Sequence, residues 1–211
     1  MVVGDNTSQA WHAVLDWFAA SQPTEVKKLN PPATDADFAQ FEAVAGRPLP
    51  DELKQIYSIN NGSAGGTLFG LAFLSLADVA REWRAWEEIR HEYPDNALGE
   101  FCTSFPANAI RKEYSNPGWI PVLYDWGGNY IGVDVDPGPA GRVGQVINFG
   151  RDEDDKFVIA QDFTGFLRLM LNQVESGNVE IERTEDGESC NLVGSRHLTD
   201  GLRTLLVPAG E

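Results

Sequence analysis

Apolar side chains recur every three or four residues in several stretches of the chain, which is the spacing of one face of an α-helix. The clearest stripe runs from Phe163 to Val174, with Asp162 placed to cap the start of this helix and Gly177 to end it. Thr34 and Asp37 are spaced in the manner of a capping box at the start of another helix. The pattern predicts helices at about residues 8–20, 34–45, 50–60, 75–93 and 163–174, and a short one around 202–206.

After residue 118 the apolar side chains recur at every second position, which indicates β-strands. Residues 119–124 and 130–135 have this pattern, and the residues from Asp125 to Asn129 suit the turn between them. Further strands are predicted at 144–149 and 157–160, with a β-like piece at 179–181. Helices, then a meander, then helices indicate an α+β fold: a central, mostly antiparallel sheet of about four to six strands wrapped by helices. We find no internal repeat and no linker, so residues 1–211 are predicted to form a single domain.

Two other stretches lack a clear period. Residues 62–70 are rich in glycine, but no Lys or Arg occurs from Gln55 to Ala80, so the phosphate-binding P-loop pattern is absent. We interpret this stretch as a flexible connection leading into a short strand. Residues 94–118 are irregular, with a weak helical turn near Ile110.

The charge balance restricts the kinds of partner. The chain has 211 residues, of which 32 are acidic and 16 basic, for a formal net charge of -16. Residues 125–188 hold 14 acidic and 5 basic side chains, so they contribute -9 of that charge. Nucleic acids and anionic membrane surfaces bind through Lys and Arg, so this balance argues against both. The expected partners are neutral or basic, and the simplest alternative is that the acidity only keeps the protein soluble.

The sequence also bears on location. The segment from Met1 to Gln9 has no basic cluster before an apolar run, so no targeting signal is predicted. No stretch of about 20 apolar residues could span a bilayer. Only two cysteines occur, Cys102 and Cys190, and reduced thiols are the simpler interpretation. We therefore expect a cytoplasmic protein.

Candidate chemistry is sparse. His12, His91 and His197 lie far apart, without neighbours at a metal-binding spacing. A pairing of Cys102 with His91 stays open, although nothing marks the thiol as activated. The carboxylates of Asp134, Asp136 and the run 152–155 could together bind a hard cation, but a solvated loop is the favoured alternative. We predict no catalytic residue, no metal and no cofactor.

Four segments in order resemble a known family. They are ATDADFAQFEAVAGRPLPDELKQIYSINNG (residues 33–62), WIPVLYDWGGNYIGVDVDP (119–137), GQVINF (144–149) and the helix at 163–174. The order is similar to that of the SUKH superfamily in its Smi/Knr-type branch. The resemblance covers about residues 10–177 and leaves 178–211 as a C-terminal extension. It implies an antiparallel sheet wrapped by helices, a binding role and no transferable catalytic motif.

The resemblance implies two functions. Bacterial members are typically immunity proteins that neutralise toxin domains, often nucleases, and fungal members act as interaction hubs in cell-wall assembly and signalling. Acidity favours the first, since a nuclease must be basic and opposite charge can speed encounter by about 10 to 1000-fold. We therefore expect an immunity protein that binds a basic toxin domain. The alternative is a scaffold or regulator linked to cell-wall assembly.

The predicted partner contacts lie on the acidic stretch. Trp126 and Tyr130 would act as anchors while the carboxylates steer the partner. Trp119 is expected in the core, whereas Trp126 lies in the turn, where an exposed aromatic side chain is more suggestive of contact. The full predicted set is Asp125, Trp126, Asn129, Tyr130, Asp152, Glu153, Asp154 and Asp155.

Overall fold

Side-chain caps define where several helices begin. The Thr34 side chain accepts a hydrogen bond from the backbone N–H of Asp37, and Asp37 accepts one from the N–H of Thr34, so the predicted capping box is present. The carboxylate of Asp162 accepts from the N–H of Gly165 at 2.7 Å, as its predicted role requires. Gly46 ends the helix after Thr34 with a φ of 65°, a conformation that glycine adopts without strain.

The computed structural model describes residues 6–94, 96–184 and 187–209, so the first five residues of the polar N-terminus considered above lie outside it. The predicted helices are all present. Pro50 is the N-cap of its helix rather than its first residue, and the last helix begins at Leu198 rather than near Leu202. The helices described are α1 (Thr7–Ser21), α2 (Pro23–Val26), α3 (Asp35–Ala45), α4 (Asp51–Tyr57), α5 (Leu76–Glu92), α6 (Phe163–Glu175) and α7 (Leu198–Leu206), with a 3₁₀ helix at Ala97–Phe101.

Among the described residues, seven strands form one sheet and two form a separate hairpin. The strands are β1 (Thr67–Leu68), β2 (Leu71–Phe73), β3 (Thr103–Phe105), β4 (Trp119–Tyr124), β5 (Asn129–Asp134), β6 (Gln145–Gly150), β7 (Asp155–Ala160), β8 (Val179–Thr184) and β9 (Gly187–Leu192). The sheet order is β1-β2-β4-β5-β6-β7-β3, and every neighbouring pair is antiparallel except β3 with β7. The predicted α+β class and mostly antiparallel sheet are confirmed. The sheet exceeds the expected four to six strands because β1 and β3 have only two and three residues, too few to show a period.

The centre of the sheet is covered on both faces. Consecutive residues from Tyr130 to Asp134 are buried, as is every residue of β6, and successive side chains of a strand point to opposite faces. α5 packs against β4 and α3, whereas α6 packs against α1, β6 and β7. Trp119 is 3% exposed, which confirms its predicted place in the core. None of the described helices combines the length and apolar character needed to cross a membrane.

The C-terminal extension is structured within its described residues. The predicted β-like piece at 179–181 lies in β8, which pairs with β9 as an antiparallel hairpin; β9 was not predicted from the sequence. Helix α7 follows and packs against β7 and β9, with Leu198 and Leu202 fully buried. The extension therefore covers the end of the sheet at which β7 begins.

Candidate functional site

The turn between β4 and β5 is built around Asp125. Its Oδ1 accepts hydrogen bonds from the N–H groups of Gly127 at 2.6 Å and Asn129 at 2.9 Å, and its Oδ2 accepts one from Asn129 Nδ2 at 2.8 Å. The Nε2 atom of His197 lies 3.9 Å from the same Oδ2. The Asp125 side chain is only 12% exposed, so it organises the turn and presents little surface itself.

Trp126 occupies the tip of this turn. Its indole is 56% exposed, as the sequence predicted for a turn aromatic. Its φ is 62°, in the left-handed region that is a strained conformation for a bulky residue. Strain of this kind is of order 1–3 kcal/mol and concentrates at functional positions. An exposed, strained tryptophan is therefore the strongest mark of a contact surface in this region.

Tyr130 is buried at the start of β5, just after this turn. It is 4% exposed, and its hydroxyl donates a hydrogen bond to Glu82 Oε2 at 2.8 Å. Its ring stacks on Tyr124 at 5.1 Å and on Phe149 at 5.5 Å between centroids. Burial, with help from the bond to Glu82, raises the pKa of Tyr130, so the phenol stays protonated. The structure thus places this predicted anchor as a support within the site.

The acidic run divides between surface and interior. Asp152, Asp154 and Asp155 are exposed, whereas the carboxylate of Glu153 turns inward and accepts a hydrogen bond from Asn148 Nδ2. Burial raises the pKa of Glu153 to about 7, against an ordinary value of 4.5. Only part of the run can therefore present a full negative charge near neutral pH.

The exposed carboxylates also have partners within the chain. Asp152 pairs with Arg151 at 3.0 Å, and its N–H donates to Asn129 Oδ1 at 2.8 Å, which ties the acidic loop to the turn. Asp155 accepts a hydrogen bond from Thr103 at 2.7 Å and lies 3.5 Å from Arg203 of α7. The predicted contact residues consequently cluster at one end of the sheet, linked by hydrogen bonds.

The structure adds an aromatic groove that sequence reasoning missed. Beside Trp126 is an open hollow of about 340 Å³, and we define the aromatic groove by its five rings and its bordering residues, Glu82 and Arg151. The rings are those of Trp86, Tyr114, Tyr124, Trp126 and Tyr130. Trp86 meets Tyr114 edge to face at 5.5 Å. Tyr114 lies in the irregular segment 94–118, where no period gave a signal, so only the fold brings it to this site.

The other candidate groups are occupied by protein partners. Asp134 is fully buried, its Oδ2 accepts from Gln145 at 2.9 Å, and burial raises its pKa to about 6. Asp136 pairs with Arg111 at 2.9 Å. Within the described ranges, no group of three or more His, Cys, Asp and Glu side chains could hold a metal ion.

Cys102 is buried within the fold. Its Sγ lies 3.2 Å from Nζ of the buried Lys156, and that ammonium group also donates to the carbonyl of Glu153 at 2.9 Å. His91, the partner considered from the sequence, is exposed on the last turn of α5. Cys102 and Cys190 are both free thiols. Lysine is therefore the group that the fold places against this sulfur.

The amino-acid sequence matches one family model over residues 32–169. That model describes the SMI1 / KNR4 family (SUKH-1). Curated relatives extend the similarity further. The chain is 32% identical over 199 residues to the cell wall biosynthesis/cell cycle regulator smi1 of Schizosaccharomyces pombe, which covers 88% of this chain and 39% of that protein.

Two further relatives have related names. The glucan synthesis regulatory protein of Neurospora crassa is 29% identical over 81% of this chain and 38% of its own length. The cell wall assembly regulator SMI1 of Saccharomyces cerevisiae is 28% identical over 82% of this chain and 41% of its own length. The chain thus spans about two fifths of these relatives. Since the family model matches well over half of its residues, the chain belongs to the SMI1 / KNR4 family (SUKH-1).

Proposed function

We propose that this chain is a non-catalytic protein-binding module that regulates the synthesis of cell-wall polysaccharide. The observation that carries the proposal is its similarity to three proteins named as regulators of cell-wall biosynthesis, glucan synthesis and cell-wall assembly. These names favour the second of the two functions that the sequence suggested. They lend no support to toxin neutralisation, the function we expected first.

The partner surface in this proposal is the aromatic groove together with the acidic loop beside it. Trp126 presents a large apolar side chain to solvent at the groove, and aromatic anchors of this type dominate the energy of many interfaces. Asp152 is exposed on the acidic loop, which is bonded to the turn that carries Trp126. Its charge can therefore favour a basic partner and speed the association of the two proteins. A regulator needs such a surface and no reacting groups.

The proposal is tested in the cell that makes this protein. Deleting the gene is expected to lower the incorporation of labelled sugar into wall polysaccharide, and the wild-type chain is expected to restore it. Trp126→Gly should fail to restore incorporation although it reaches the same cellular level. Normal incorporation after deletion would reject the regulatory function.

A matched control variant is available at Val143, in the loop between β5 and β6. Val143 is 67% exposed and lies beyond the far end of β5 from Trp126. Val143→Ala is therefore expected to restore incorporation fully. If it failed to the same extent as Trp126→Gly, the aromatic groove would no longer be the partner surface.

A further inference from the structure

A second hollow lies beside the aromatic groove along α5. This hollow has a volume of about 220 Å³ and is bordered by Arg90, Tyr93, Pro94, Ser115 and Pro117, among others. Both hollows have Ile89 and Tyr114 in their walls, so they are neighbours along α5, and we call the pair the extended trough. Its α5 side runs from Glu82 to Tyr93, or about 16 Å at the helical rise of 1.5 Å per residue.

Two hydrogen-bond donors beneath the trough have no acceptor among the described residues. They are Nη2 of Arg90 and Nε1 of Trp119, and both atoms are buried. A small cavity of about 10 Å³ between the two hollows is bordered by both side chains. The other Nη of Arg90 donates to Ser115 at 2.8 Å, and its guanidinium lies 5.1 Å from the Trp83 ring centroid. Buried donors are normally paired, and Arg90 also borders the second hollow, so a shift of its side chain would bring Nη2 to a carbonyl oxygen of a ligand bound there.

These features together match a polyproline II segment. Such a segment has no internal hydrogen bonds, so its carbonyl groups point outward and need donors. At about 3.1 Å per residue, five residues span about 16 Å, the length of the extended trough. Proline side chains dock in grooves lined by aromatic rings, and the preformed conformation keeps the entropy cost of binding low.

Other peptide geometries fit less well. A strand would have to add to an unpaired edge of the sheet, but the strands beside the trough, β4 and β5, are both paired on each side. An α-helix bonds its own carbonyl groups along the helix, so it would offer few free acceptors to Arg90.

Charge specifies the partner further. The walls of the trough hold two carboxylates, of Glu82 and Glu113, and two guanidinium groups, of Arg90 and Arg151, so the charges of the lining balance and the excess of acidic residues lies around it. The whole chain carries a net charge of -16. Basic residues beside the prolines would therefore be attracted to the trough.

We propose that the extended trough binds a proline-rich segment of a partner protein, in the polyproline II conformation and flanked by Lys or Arg. This assignment rests on the proposed function, for which it names the chemistry of the partner. Trp126 and Tyr114 hold the proline rings, Arg90 donates to a peptide carbonyl, and the acidic residues at the rim hold the basic flanks.

The experiment measures binding of a fluorescein-labelled decaproline peptide, with two arginines at each end, to the full chain by anisotropy. The control peptide has glycine and serine in place of the prolines. The decaproline peptide is expected to bind at least tenfold more tightly than the control. Trp126→Gly and Arg90→Met should each weaken its binding about tenfold or more, while Val143→Ala should not change it.

Several outcomes would overturn the proposal. Equal affinity for the two peptides would show that charge alone attracts them. Unchanged affinity in Trp126→Gly would place the peptide elsewhere. Tighter binding of a linear β-1,3-glucan hexasaccharide than of decaproline, lost in Trp126→Gly, would make the trough a carbohydrate site. If the peptide fails to bind but wall synthesis still depends on Trp126, the regulatory function stands and only the polyproline assignment falls.

Discussion

Replacing Glu153 by glutamine is expected to stabilise the protein at pH 8 and to leave its stability almost unchanged at pH 4. The side chain is largely buried beside Asn148, with Asp200 and Arg203 of α7 and Asp125 of the turn as its charged neighbours. Burial raises the pKa of Glu153 from 4.5 to about 7. The native state therefore binds this proton more tightly than the unfolded chain does.

The sign of the pH dependence follows from that difference. The stability that Glu153 contributes is fully present below about pH 4.5 and is lost as the pH rises to about 7, because the native state must then hold a buried charge. Each pH unit in this interval is worth about 1.4 kcal/mol, so the ionised side chain costs about 3 kcal/mol at pH 8. Glutamine keeps the acceptor for Asn148 and never ionises, so the variant should avoid this cost.

The measurement is guanidinium-induced unfolding of both proteins at pH 4 and pH 8, followed by tryptophan fluorescence. Asp152→Asn is the matched control in the same loop. Asp152 is exposed, and its hydrogen bond with Arg151 lowers its pKa, so this variant should gain no stability at pH 8. An equal difference between Glu153→Gln and wild type at both pH values would refute the buried-carboxylate interpretation.

Three further changes probe the turn, the sheet and the extension by the same unfolding measurement. Trp126→Gly should not lower the free energy of unfolding, because glycine adopts a φ of 62° without strain and the indole is mostly exposed; a loss above about 1 kcal/mol would contradict this. Gly132→Ala should lower it by about 2 kcal/mol or more, since the added Cβ would clash with the carbonyl of Ile120, and wild-type stability would show that the strands can separate. Leu202→Ala should lower it by about 2–5 kcal/mol because this side chain is fully buried, and a smaller loss would mean that α7 packs weakly.

Local rules account for much of the fold. The capping residues Thr34 and Asp162 and the spacing of apolar side chains predicted the main helices, because these signals act within one turn of the chain. The strand at Trp119–Tyr124 was predicted with the bounds that the structure shows. By contrast, β3 has three residues and pairs in parallel with β7, more than 50 residues later, so no local pattern announces it.

The candidate site also combines features that the local sequence predicts with features that depend on long-range packing. The sequence indicated that Trp126 is an exposed turn residue, because glycine and polar neighbours surround it. The Glu153 side chain faces inward because Asn148 donates a hydrogen bond to it and because α7 covers its loop. Helix α7 belongs to the C-terminal extension. Whether the eight predicted residues contact a partner stays a prediction.

The sequence by itself determined the helices, the central meander, the acidity and the family, since each is encoded by residues within a few positions or by an ordered set of segments. Only the tertiary structure decided which acidic residues face solvent and which aromatic side chains form a groove. Burial and long-range packing act between residues far apart in the chain, such as Trp86, Tyr114 and Trp126. The surface proposed to bind a partner therefore follows from packing around α5 and not from a motif.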